Sequence, residues 1–213
     1  MSTTPDPQPE ALGLELSALR AYSGPPGAIK GVGFWPRALA RVIDLLVHMF
    51  VSFCAGILFS ILLVIAAGGH PNPLVVAALR KNTIGVFVLA LLGSVAYEAI
   101  CEGMHGSTLG KLLLSMVVVQ EDGSPCRFGA ALIRSVAYFV DALFFGLIGY
   151  LAMQKSPQEQ RHGDEWAHTV VCKRPDAPSG SLRGSGLFFA AFLLAAMADA
   201  ALAMVGLLLK LNA

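Results

Sequence analysis

At 213 residues the chain is 55% hydrophobic and only 14% charged, with a formal net charge of +1. Soluble domains carry about 25% charged residues, so this is a membrane composition. That net charge argues neither for nor against a nucleic-acid partner, but the absence of a basic run interleaved with aromatics argues against one. The four cysteines, Cys54, Cys101, Cys126 and Cys172, include no C-x-x-C pair and set aside a secreted disulfide framework.

Residues 1–33 are rich in Pro, Gly and small polar residues and open without a basic n-region, so they read as a largely disordered tail rather than a cleaved signal peptide. Within them, Glu10 to Leu19 suits a short helix at the membrane surface. Pro36 suits the first turn of a helix. Val42 to Ala67 is apolar apart from Asp44, His48 and Ser52 and exceeds the ~20 residues that cross a hydrocarbon core. Gly68-Gly69-His70-Pro71-Asn72-Pro73 ends it with turn chemistry. Thr83 to about Ile100 is a second span, and Leu187 to Leu209 a third, with Asp199 its one acidic interruption.

Phe128 to Met153 is apolar enough to span but is divided by Gly146 and Gly149. If it crosses once, with the N-terminus inside, Lys155, Arg161, Lys173, Arg174 and Arg183 fall outside, against the positive-inside rule. If it enters and returns as a re-entrant or kinked helical hairpin, the outside keeps only Arg80, Lys81 and Lys210. Two β-branched runs, Ser115 to Gln120 and His168 to Lys173, agree with the hairpin, because they can pair only on one side of the membrane.

Two stretches about a hundred residues apart repeat one polar pattern. Arg37, Ala40 and Asp44 have the same spacing as Arg134, Ala137 and Asp141. Seven residues are almost two helical turns, so each Arg and Asp share a face with the small Ala between them, which predicts a close approach of the two helices. On the first helix Arg37, Arg41, Asp44 and His48 form one stripe. It reads either as the entrance to an ion or proton path, or as a structural set. In the structural reading Arg37 and Arg41 reach lipid phosphates while Asp44 pairs with Arg41 or Arg134. Ser94, Glu98 and Glu102 form a second stripe, with Glu98 placed to meet an Arg of either copy. Asp199, surrounded by Ala, Met and Leu, must face the protein or be protonated.

Thr108-Leu109-Gly110-Lys111 lacks the upstream glycine of a phosphate loop, since Leu112 follows the lysine; it reads as a tight turn with Lys111 at the headgroups. Asp164 and Thr169 suit anchoring a turn and a strand start. The histidines are scattered without ligand spacing, so neither a metal nor a cofactor is expected. No nucleophile has a base at hand, so no enzyme is expected.

In order along the chain, these motifs resemble the RDD family of mostly bacterial membrane proteins. Trp35 to Asp44 is similar to its opening signature, Ser107 to Lys111 to its T-L-G-K segment, and Phe128 to Arg134 with Asp141 to its third block. Gly163-Asp164-Glu165-Trp166-Ala167-His168-Thr169-Val170-Val171 resembles its closing L-H-D-x-x-A-G-T-V-V. Two departures occur: Gly163 stands where the family usually has His, and His168 where it usually has Gly. The resemblance covers Phe34 to Lys173, leaves Leu187 to Leu209 outside, and implies transporter-like activity such as sodium–proton exchange.

The expected fold is an all-α polytopic membrane protein: three transmembrane helices, a re-entrant or kinked helical hairpin and a cytoplasmic two-stranded β element. Its expected parts are a tail (1–33), a membrane domain (34–174), a linker (175–186) and an added helix (187–213). The expected setting is a bacterial inner membrane with the N-terminus cytoplasmic, the partners being lipid and either further copies of the chain or another membrane protein. Two functions stay open. One is monovalent cation/proton exchange through Arg37, Arg41, Asp44, Glu98, Glu102, Arg134, Asp141 and Asp199. The other is a scaffold subunit contacting its partner through the small-residue faces Gly85/Leu89/Gly93 and Ala191/Ala195/Asp199.

Overall fold

The computed structural model describes residues 29–66, 68 and 83–211. The expected helix at Glu10 to Leu19, most of the turn after Gly68, and Arg80 and Lys81 lie outside them. Helix α1 runs Phe34–Ala66 and α2 Thr83–His105, followed by the short α3 (Leu109–Leu113) and strand β1 (Met116–Gln120). Next come α4 (Phe128–Asp141), α5 (Leu143–Lys155), the short α6 (His162–Trp166), β2 (Thr169–Lys173) and α7 (Ser185–Leu211).

Helix α1 carries Pro36 in its first turn, where the missing N–H has no helical partner to lose. Its buried residues, Arg37, Ala40, Asp44, His48, Ala55 and Phe59, lie toward the protein, while Leu46, Phe50, Phe53 and Ile61 are exposed. A polar face turned inward and an apolar face turned outward fits the membrane span expected here. Among the described residues, α1, α2 and α7 are the three helices long and apolar enough to cross a membrane.

α2 and α7 pack along each other through small residues. Ala191 and Ala195 are fully buried, and Tyr97, Cys101 and Ala195 form one cluster. A Cβ at Gly93 would run into the Asp199 carboxylate. The two small-residue faces expected to hold a partner therefore meet inside this chain at Gly93 and Asp199. The reason is that small residues let helix backbones approach wherever a second helix is available, and α7 is the nearest.

α4 and α5 are bent by 114° relative to each other, as a kinked hairpin. The break lies at Phe144 (φ 52°), Phe145 (φ 59°) and Gly146 (φ 85°). Gly149, read as a second divider, lies within regular helix, where a Cβ would come 3.2 Å from that of Asp141.

β1 and β2 pair antiparallel from Met116↔Lys173 to Gln120↔Thr169, centred on Val118↔Val171. Alternation puts Val117, Val119, Val170 and Cys172 on one face with Ile29, and Met116, Val118 and Val171 on the other with Ala40 and Ala131. Ile29 and Val32 are buried, and the Val32 N–H donates to the Val171 carbonyl at 2.9 Å. The end of the expected tail is thus part of the folded core, because the exposed strand edge accepts it.

Candidate functional site: a buried charge network

Asp164, fully buried in the first turn of α6, is the hub. It caps its own helix by accepting the Arg161 N–H at 3.2 Å. Arg37 of α1 and Arg134 of α4 both donate to it, and the Arg161 guanidinium lies 3.8 Å away. Burial alone would raise the Asp164 pKa; the guanidiniums of Arg134, Arg37 and Arg161 outweigh it and hold the carboxyl below the ordinary carboxylate range.

From this hub Arg134 continues outward, its Nε donating to Glu102 at 3.0 Å and its Nη1 to Thr169 at 2.8 Å. Glu102 also pairs with Lys111. Burial pushes the Lys111 ammonium below the usual lysine range, and Glu102 opposes that shift. Arg41 pairs with Glu98, as the second stripe foretold, and its guanidinium lies 3.9 Å over the Tyr138 ring.

Several expected placements are overturned. Asp44 pairs with neither Arg41 nor Arg134. It accepts from Thr108 Oγ1 at 2.6 Å, the Gly110 N–H at 2.8 Å and Tyr97 Oη at 3.1 Å. A carboxylate at a short helix's N-terminus meets backbone donors that have no helical acceptor, which suits it as well as a cation. Arg37 is 7% exposed and bound to Asp164 rather than to lipid phosphate. Lys111 is buried against Glu102 rather than at the headgroups. Asp164 does anchor its turn, but it also joins α1 to α4. Thr169, besides starting its strand, receives Arg134.

The two copies of the polar pattern do the same work on two different segments. Asp44 accepts from Gly110 in α3, and Asp141 accepts from the Gly163 N–H in α6 at 3.3 Å. A Cβ at Gly110 would strike the Ala40 carbonyl, and one at Gly163 would lie 2.9 Å from the Ala137 Cβ. Each Ala thus admits a glycine of a short helix; it does not bring the two long helices together. The likeness continues onward. Ser115 (φ 53°) and His168 (φ 51°) precede the two strands in the left-handed region. The Arg174 N–H donates to Ser115 O at 2.8 Å, and the Glu121 N–H to His168 O at 3.0 Å. The same contacts therefore recur in α1, α3 and β1 and again in α4, α6 and β2, the two sets joined by the antiparallel pair centred on Val118 and Val171.

A pattern of the RDD family matches residues 32–168. The chain belongs to the RDD family. No curated protein and no solved structure matches it. The matched region holds every charged member of the network, with Arg37 and Arg134 meeting at Asp164. Of the two departures from the family pattern, His168 carries the left-handed turn that glycine adopts freely. At the other, neighbouring His162 places Nδ1 3.1 Å from Asp141 Oδ1.

Asp199 lies beyond the RDD match. It is 2% exposed and faces the protein, as expected of a carboxylate on a helix apolar enough to cross a membrane. His48 Nδ1 approaches it at 2.9 Å, and Ser52 Oγ donates to it at 3.5 Å. Beyond it lies a cavity of about 160 Å³ lined by Ser52, Gly56, Leu89, Ala90, Asp199, Ala203 and Gly206. Tyr97, Arg161 and the His48–Asp199 contact were not expected from the sequence. A hydroxyl on an apolar helix signals that Tyr97 needs a partner; for the other two no local signal exists. Among the described residues no cluster of metal-ligating side chains occurs.

Proposed function

We propose that this RDD protein handles protons across a membrane, exchanging them for a monovalent cation, with His48 and Asp199 as the exchanging pair. The supporting observation is the polar stripe of α1, which continues from Arg37 through Arg41, Asp44 and His48 to Ser52 and ends on the buried Asp199 beside a cavity. From Arg37 to Ser52 the stripe covers about 22 Å at ~1.5 Å per residue, most of a ~30 Å hydrocarbon core. An imidazole can release and take back a proton, which a guanidinium cannot. In this reading Arg37, Arg41, Asp44, Glu98, Glu102, Arg134 and Asp164 are a rigid frame. The protein acts without enzymatic chemistry, in a bacterial inner membrane with its N-terminus cytoplasmic, and further copies of the chain complete the path.

Proton flux in proteoliposomes tests this. Asp199→Asn and His48→Gln should each lower the flux at least tenfold while leaving thermal unfolding within a few degrees. Full flux in both variants removes the pair from the mechanism. A second reading, a scaffold subunit of a membrane complex, draws support from the pairing of every core carboxylate with a fixed donor. A stoichiometric copurifying partner, together with no flux by the isolated protein, would establish that reading instead.

A further inference from the structure

A groove of about 350 Å³ runs between α1, the bend of α4 and α5, and the start of α6. One end is cationic: Arg37, Arg41 and Arg161 line it, against Asp141 alone. The other end is apolar, walled by Val42, Leu45 and Phe145. Val42 and Leu45 are half exposed and Phe145 is wholly exposed, so this end opens sideways onto the apolar belt of the molecule.

Three independent features point to an occupant. Arg161 is the least committed cation of the network: its contacts to Asp141 and Asp164 are 4.0 and 3.8 Å, and its buried Nε has no hydrogen-bond partner. Arg37 and Arg41, in contrast, hold Asp164 and Glu98 directly. The cationic end also lies at the level of an aromatic cluster, with Trp35 exposed and Phe34 edge-on to both Trp35 and Tyr150. Trp and Tyr mark the headgroup level of a bilayer. Finally, Phe145, which lines the groove, follows Phe144 in the bend, and both are non-glycine residues in the left-handed region. Such a conformation is costly and persists where the surrounding structure holds it, commonly at binding sites.

We propose that this groove is a binding site for an anionic phospholipid, its phosphate against Arg161 and Arg41 and one acyl chain along Val42, Leu45 and Phe145. Positive lining at headgroup depth and an apolar wall open to the side match the two halves of such a lipid, and a zwitterionic lipid offers the same chain without the net charge.

The test uses the full chain, delipidated in detergent micelles, with phosphatidylglycerol or phosphatidylcholine added. Phosphatidylglycerol should raise the unfolding temperature by about 5 °C, and phosphatidylcholine should not. Arg161→Gln and Val42→Trp should each abolish the rise. The second variant fills the groove from a half-exposed apolar position whose side chain takes no part in the ion pairs, so it reports on the groove even if Arg161→Gln folds poorly. An equal rise from both lipids, no rise from either, or a rise that survives Val42→Trp would overturn the proposal.

Discussion

Replacing Asp164 by Asn removes the one anion at which Arg37, Arg134 and Arg161 converge, at a site with no exposure to solvent. The side chain keeps its size and can still cap α6, so the loss is electrostatic. Breaking a buried ion pair on one side costs about 3–5 kcal/mol. For a chain of this length that is a fall in unfolding temperature of roughly 10 °C. The pH dependence has a definite sign. The folded carboxyl of Asp164 sits below its ordinary value of 3.8. Its contribution is therefore complete above the pKa of the unfolded chain and is lost as pH falls below about 4. Wild type should consequently approach the variant in stability as the solution is acidified. Thermal unfolding in detergent, followed at neutral pH and at successively lower pH, measures both effects. A double-mutant cycle completes the test. Arg134→Gln should cost about 1–3 kcal/mol less in the Asp164→Asn background than in wild type. Additive losses, or a neutral-pH cost under about 1 kcal/mol, would refute Asp164 as the hub.

The repeat makes separate predictions at its glycines. Gly110→Ala and Gly163→Ala should each destabilise by about 1–3 kcal/mol by overpacking against Ala40 and Ala137. Gly129→Ala, in helix α4 with open space around it, should be neutral or stabilise by up to about 1 kcal/mol. Differential scanning fluorimetry on the three variants checks the order. His168→Gly should raise stability by about 1 kcal/mol by relieving the left-handed turn, whereas Gly163→His should not. Thiol titration at neutral pH should label at most Cys54 in the folded protein and all four cysteines after denaturation. Burial covers Cys101, Cys126 and Cys172, pushing the Cys126 thiol up to about 12 and the Cys172 thiol up to about 11.

Much of the architecture was legible along the chain because its signals are local. Apolar runs of sufficient length marked α1, α2 and α7, and β-branched runs marked β1 and β2. The glycines near Gly146, with the positive-charge distribution, marked the hairpin. The doubled Arg-x-x-Ala-x-x-x-Asp spacing located the structural centre, and the Ser94/Glu98/Glu102 stripe named carboxylates that do take cations from both copies. What the spacing could not convey was partner choice. Asp44 stands one turn from Arg41 on the same helix yet binds Thr108 and Gly110, more than sixty residues away. The second half of the repeat was hidden because the helices recur at one interval and the short helices with their strands at another.

By itself, then, the sequence determined the membrane composition, the apolar helices, the strand pair and, apart from Asp164, the carboxylates that are buried. All of these follow from hydropathy and periodicity within a few turns of chain. Only the tertiary structure decided that Asp164 gathers three arginines, that each Ala receives a glycine, and that Asp199 comes to rest beside His48. Charges forced out of water take the best donor in reach, and the fold, not the spacing along one helix, determines which donors are in reach.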